Sequence, residues 1–173
     1  MLDEKIACGT RNFAKEPAMT EKETLDAIDT GVRLVKQCKE NGYQILATGE
    51  MGIGNTTTSS AVTAALLHRL ASETAGRGAG LNDKGLSRKK QVIQEAIDRY
   101  DLYKADAFTV LQTVGGFDIA GLTGVFIGGA MYHVPIVLDG LISGAAALLA
   151  KRIIPGTEHF MIASHLGKEP AAK

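Results

Sequence analysis

The stretch YQILATGEMGIGNTTT, residues 43–58, decides the fold. Its first five residues, Tyr43 to Ala47, are largely apolar and run directly into a glycine cluster, which predicts a buried strand entering a loop. Thr56 to Ala71 then returns to a helical pattern, so the segment reads as strand, glycine-rich loop, helix. That order predicts a βαβ unit and a parallel sheet.

Outward from this segment the same alternation continues. Upstream, Thr20 and Glu23 stand at capping-box spacing, and Leu25, Ile28, Val32 and Val35 recur at helical intervals until Asn41-Gly42 provides a stop. Downstream, the cluster Gly76 to Gly80 is a loop before a helix that begins near Ser87 and carries Val92, Ile93, Ala96 and Ile97 on one face. After Gly115-Gly116, the small residues of FDIAGLTGVFIGGAMY (117–132) suit a helix buried on most sides. PIVLD (135–139) predicts a second strand, Ile142 to Ala150 a helix, and Glu158 to Ala163 a further strand ending at Ser164-His165. The expected architecture is one α/β domain over residues 1–173, in three layers: a Rossmann-like parallel sheet flanked by helices. In such a sheet ligands sit beyond the carboxyl ends of the strands. The loops Gly49 to Asn55, Asp139-Gly140 and Ser164 to Glu169 are therefore the places to search, with Thr10-Arg11-Asn12 a fourth if Lys5 to Cys8 is also a strand.

Composition narrows the function. Nineteen basic residues balance nineteen acidic ones in 173 residues, so no overall field favours nucleic acid or an anionic membrane, and an anion must be held by a local site. Cys8 and Cys38 have no CxxC spacing and read as reduced structural thiols. The four histidines form no ligand-spaced set, and no metal site is expected. The start MLDEKIACGT lacks a basic region followed by an apolar stretch, from which a cytoplasmic protein is expected. The apolar run from Ile119 to Ala150 is broken by Pro135, Asp139 and repeated glycines and does not read as a membrane span.

Glycines at 49, 52 and 54 let backbone N–H groups point at a ligand where the next helix begins, which is phosphate-binding chemistry; a generic glycine turn is the competing reading. No Gly-Lys-Ser/Thr follows, so this is not a Walker loop, and the absence of GxGxxG disfavours an NAD-dependent oxidoreductase. Glu50 sits where a carboxylate costs electrostatic energy unless it does acid–base or substrate-hydroxyl work, or is simply solvated. Arg88-Lys89-Lys90, near a helix start, opposes the helix dipole, so one of them either faces an anion or belongs to a solvated turn. Asp139 reads equally as a sugar-hydroxyl contact and as a helix N-cap. His165, with Glu169 four residues on, is a further candidate in a strand-end loop.

ATGEMGIGNTTTSSA (47–61) resembles the signature loop of the nicotinate-nucleotide:dimethylbenzimidazole phosphoribosyltransferases. The likeness continues through GTRNFAKEPAMT (9–20), GRGAGL (76–81), TVGGFDIAGLTG (113–124), PIVLDGLIS (135–143) and ASHLGKEP (163–170), in the family's order. The resemblance implies transfer of a 5-phosphoribosyl group from nicotinate mononucleotide to 5,6-dimethylbenzimidazole, giving α-ribazole 5′-phosphate for cobalamin's lower ligand. It implies no cofactor, and a homodimer. By motif it places the phosphate cradle on Gly52 with Gly54 and Asn55, on Lys89 and on Gly140. It puts Asp139 on the ribose, Gly78 and Ala79 at the nicotinate end, Glu50 in the active-site floor and Met51 beside the base pocket. Gly167 stands where the family commonly has a phosphate-contacting serine from across the dimer, and Lys168 follows it.

Family members extend further at both ends. The resemblance assigns much of the benzimidazole pocket to the earlier part and the main catalytic glutamate to a later Arg-Leu-Gly-Glu-Gly segment. Within this chain Glu50 is then the candidate carboxylate. The alternative is a non-catalytic nucleotide-binding module, or one partner of a split enzyme completed by a second chain.

Overall fold

The structure, a computed structural model, describes residues 2–165 and 167–172. The helices are α1 (Glu21–Glu40), α2 (Asn55–Leu67), α3 (Ala71–Thr74), α4 (Asp83–Arg99), α5 (Ala107–Val114), α6 (Phe117–Tyr132) and α7 (Leu141–Ile153). The strands are β1 (Leu46–Ala47), β2 (Ile136–Val137) and β3 (Met161–Ile162), all parallel in the order β1-β2-β3. Leu46 pairs with Ile136 and Ile136 with Met161, which fixes the register. The expected α/β architecture, a parallel sheet with helices packed around it, is therefore present, with shorter strands than the sequence suggests.

All three strands pair over two residues, and edge position leaves the outer ones more open. β1 has one neighbour, so the expected buried strand over 43–47 is reduced to its last two residues, and Tyr43 and Ile45 are more than half exposed. β2 is central, and its Ile136 is fully buried. The strand expected over 158–163 is corrected too: Thr157–Phe160 forms a tight 3-10 turn, started where the Gly156 N–H donates to the Glu158 carboxylate at 2.8 Å. Lys5 to Cys8 forms no strand.

The helix boundaries follow local chemistry. Thr20 and Glu23 make the anticipated reciprocal cap: the Glu23 N–H donates to Thr20 Oγ1 at 3.2 Å and the Thr20 N–H to Glu23 Oε2 at 2.7 Å. α4 begins four residues before Ser87, because Asn82 Oδ1 accepts the Gly85 N–H at 2.8 Å and caps it there. α2 ends at Leu67, where His68 turns into the left-handed conformation.

Small residues set the packing. α1 buries Thr24, Ala27, Thr30, Gly31 and Val35, whereas Leu25, expected on the core face, is half exposed. The reason is a crossing of α1 and α6 at backbone contact distance. A Cβ on Gly31 would fall 2.0 Å from the Gly121 carbonyl oxygen, and one on Gly124 would fall 1.9 Å from that of Ile28. A leucine has no room in such a seam. α6 is correspondingly buried on most sides, as its composition implies.

Candidate active site

Three parallel strands side by side bring their following loops together. Thr48, just after β1, links them: its hydroxyl donates to the Val137 carbonyl at 3.0 Å and lies 2.7 Å from Ser143 Oγ on α7. The Asp139 N–H donates to the same two hydroxyls at 3.2 and 3.3 Å, and the Ser164 hydroxyl donates to the Leu138 carbonyl. Gly49, Glu50, Asp139 and Gly140 line one small cleft of about 50 Å³. Asp139 and Gly140 also line a second, of about 250 Å³, together with Ser164, His165 and Gly167. The strand-end loops thus share one mouth with Asp139-Gly140 at its middle. Leu166, within the expected loop Ser164 to Glu169, lies outside the described residues.

Thr10-Arg11-Asn12 does not follow a strand. It forms one wall of a larger cleft of about 460 Å³, facing Gly52 to Asn55 and Gly116 to Asp118. Arg11 is held there by Glu23, with Arg11 Nη1 2.8 Å from Glu23 Oε2.

The glycine-rich loop is built around Glu50. Its Oε2 accepts the Gly52 N–H at 2.8 Å and a hydrogen from the Asn55 amide. Asn55 Nδ2 also donates to Asp118 Oδ2 at 3.0 Å, so one buried amide bridges two carboxylates. Gly54, at φ +86°, makes the left-handed turn into α2 and caps it without a side chain. The first N–H groups of α2 therefore lack a side-chain cap, an arrangement that favours an anion. Met51 and Ile53 stand almost fully exposed on the loop.

Lys89 lies beneath a second cluster. It is only 6% exposed, and its ammonium donates to Thr56 Oγ1 at 3.1 Å and to the Gly76 carbonyl at 3.0 Å. Burial pushes its pKa below the ordinary lysine value, with the Glu169 carboxylate acting in the opposite direction. Glu169 Oε1 accepts the Gly78 N–H at 3.1 Å, and its Oε2 is buried with no hydrogen-bond partner among the described residues. Gly78 is left-handed, at φ +53°, and a Cβ there would fall 2.6 Å from Thr56 Oγ1.

Several sequence expectations change in detail. Arg88-Lys89-Lys90 sits in the second turn of α4, past the reach of the dipole argument, and Lys89 points inward. The N-cap of α7 is Gly140, so the capping alternative for Asp139 falls; its carboxylate is exposed and carries no hydrogen bond among the described residues. His165 Nδ1 lies 2.9 Å from Ser164 Oγ, while Glu169 turns to Gly78 instead. Ala79 is exposed in its turn, and Cys8 is exposed rather than structural. Glu50 and Asp139 meet in one cleft, whereas Lys89, Thr56 and Gly78 form a separate buried cluster. Asp118 and Thr56 were not singled out by sequence. A carboxylate in the first turn after a glycine pair was the available signal for Asp118.

Comparison with known proteins gives the family. A family model described as phosphoribosyltransferase matches residues 1–173. A Clostridium perfringens protein named nicotinate-nucleotide–dimethylbenzimidazole phosphoribosyltransferase is 44% identical over 169 residues, 98% of this chain and 47% of the relative. The chain belongs to the nicotinate-nucleotide–dimethylbenzimidazole phosphoribosyltransferase family. A second phosphoribosyltransferase of that name, from Ruminiclostridium cellulolyticum, is 47% identical over all 173 residues and 49% of its own length. The crystal structure of CobT from Thermus thermophilus superposes with a TM-score of 0.93 at 37% identity, over 99% of this chain and 51% of that one. The chain thus spans about half the length of the phosphoribosyltransferases it matches. Among the described residues, no helix is long and apolar enough to cross a membrane.

Proposed function

We propose that this chain serves phosphoribosyl transfer from nicotinate mononucleotide to 5,6-dimethylbenzimidazole, releasing nicotinate and forming α-ribazole 5′-phosphate. The observation that carries the reading is the shared cleft of Glu50 and Asp139 at the mouth of the parallel sheet, beside a helix start without a side-chain cap. In the reaction a benzimidazole ring nitrogen attacks ribose C1′. The bond from C1′ to the pyridinium nitrogen breaks, its electron pair stays with nicotinate, and the benzimidazole N–H gives up a proton. On this reading Glu50 receives that proton and Asp139 meets the ribose hydroxyls. The family motifs assign the 5′-phosphate to the Gly52 to Asn55 loop, Gly140, Gly167 and Lys89. Gly78 and Ala79 hold the nicotinate end, and Met51 flanks the base.

On this reading residues 1–173 form one nucleotide-binding core domain, working in the cytoplasm as a homodimer or beside a complementing second chain. A second reading is binding of the nucleotide without turnover, favoured by Glu50 Oε2 being already engaged by the Gly52 N–H and the Asn55 amide. Chromatographic detection of α-ribazole phosphate from both substrates, with calorimetry on nicotinate mononucleotide alone, tests the two. Product formation establishes transfer, binding without product leaves the nucleotide-binding reading, and neither result overturns both. Sedimentation as a monomer would remove the dimer.

A further inference from the structure

Asn55 is 8% exposed, and its single amide nitrogen donates to Asp118 Oδ2 at 3.0 Å and to Glu50 Oε2. An amide nitrogen has two hydrogens, so both are committed and the amide has one workable orientation; turned over, its oxygen would face two carboxylates. Glu50 Oε2 also accepts the Gly52 N–H, which leaves Oε1 as the oxygen without a hydrogen bond among the described residues. Two carboxylates drawn onto one nitrogen repel each other, so stability alone does not account for the arrangement.

Asp118 is itself aimed. It lies in the first turn of α6, where a carboxylate suits the helix dipole, and its Oδ1 accepts the Ile119 N–H at 2.9 Å. Two glycines leave it space: a Cβ on Gly116 would fall 2.6 Å from Asp118 Oδ1, and one on Gly52 would fall 2.5 Å from Asn55 Nδ2. The path therefore runs from the rigid start of α6, through Asn55 at the start of α2, to a carboxylate on an otherwise glycine-rich loop.

We propose that Asp118 is a positioning residue for Glu50, acting through the Asn55 amide so that Glu50 Oε1 is presented at a fixed place to the proton of the attacking base. The proposal rests on the transfer chemistry above for its purpose but not for its geometry. A carboxylate held within hydrogen-bond reach of the departing proton accelerates transfer, and one displaced by an ångström loses about a hundredfold. Without Asp118, one Asn55 hydrogen has no partner in a buried place, the amide turns, and Glu50 swings with the loop.

Two independent readouts on the full chain test this. Hydrogen exchange of the Gly52 N–H is expected to speed up about tenfold in Asp118→Ala, the size of one lost hydrogen bond, and by less in Asp118→Asn, whose single amide oxygen can accept from Asn55 or from Ile119 but not from both. Asn55→Leu, which removes the donor at similar size without adding a third carboxylate beside Glu50 and Asp118, is expected to match Asp118→Ala and serves if the alanine variant does not fold. In the transfer assay Asp118→Ala lowers kcat by about tenfold to a hundredfold with KM for nicotinate mononucleotide within about twofold, and lowers it no further in a Glu50→Gln background. Unchanged Gly52 exchange in both variants, exchange faster in Asp118→Asn than in Asp118→Ala, or a full additional kcat loss in the Glu50→Gln background overturns the proposal. A wild-type chain without turnover counts against the transfer reading alone, because Gly52 exchange still decides the positioning.

Discussion

Lys89 Nζ donates to Thr56 Oγ1 at 3.1 Å, tying the middle of α4 to the first turn of α2 directly behind the glycine-rich loop. Burial lowers the lysine's pKa, so between the lowered value and the ordinary lysine value the unfolded chain binds more protons than the folded one. Stability from this group therefore rises as pH climbs through that window. Urea unfolding of wild type and Lys89→Met is expected to diverge in favour of wild type as pH rises toward the ordinary lysine value of about 10.4. A difference independent of pH would show that the ammonium is not desolvated by the fold.

At Gly31 and Gly124 the seam between α1 and α6 has no space for even a methyl group. Gly124→Ala places a carbon 1.9 Å from a backbone oxygen of Ile28, so the helices must separate. Thermal and urea unfolding should report a loss of about 3 kcal/mol. Gly144→Ala is the contrasting case: it lies inside α7 with nothing within 4 Å of the added carbon. There the better helix propensity of alanine should leave stability unchanged or raise it by up to about 1 kcal/mol.

Glu23 joins the N-cap of α1 to the Arg11 wall of the large cleft. The Arg11 guanidinium, followed by the Thr20 N–H and hydroxyl, holds its carboxyl at about 2. A depressed carboxylate contributes stability above its unfolded pKa and loses it as pH falls toward the folded one. Wild type should therefore lose more stability than Glu23→Gln on going from about pH 6 to about pH 3. Equal losses would remove Glu23 as an acid-sensitive contact. At neutral pH, Thr20→Ala should cost about 1 kcal/mol through the same cap.

What sequence disclosed and what it hid divide along physical lines. Local chemistry was legible: the Thr20 and Glu23 cap, the loop from Gly49 to Asn55 and the buried helix from Phe117 all depend on neighbours a few residues apart. The αβ alternation likewise gave the parallel sheet. Strand length was not legible, because only pairing shows that β1 has one partner and that Tyr43 and Ile45 have none. Nor was the inward face of α1, since Gly31 is chosen by Gly121, ninety residues away in sequence. The site divides in the same way. Glu50 and Asp139 could be singled out as strand-end carboxylates, but Asp118 is hydrogen-bonded to the loop through Asn55, across sixty-three positions.

The last contact of this long-range kind is also the most exposed to test. A Cβ on Gly76 would fall 1.8 Å from Glu169 Oε2 and 2.7 Å from Pro170 Cδ, so the Glu169 side chain and the Pro170 ring must both move away. In Gly76→Ala the Gly78 N–H then loses its carboxylate acceptor and the segment around Lys168, already exposed, is released from the loop. Trypsin should cut after Lys168 about tenfold faster than in wild type, in line with one lost charge-assisted hydrogen bond. Glu169→Gln keeps an acceptor oxygen for Gly78 and should be cut at close to the wild-type rate, although Lys89 then loses the anion that opposes its desolvation. Equal cutting of Gly76→Ala and wild type would mean that Glu169 does not hold this segment to the Gly76–Gly80 turn.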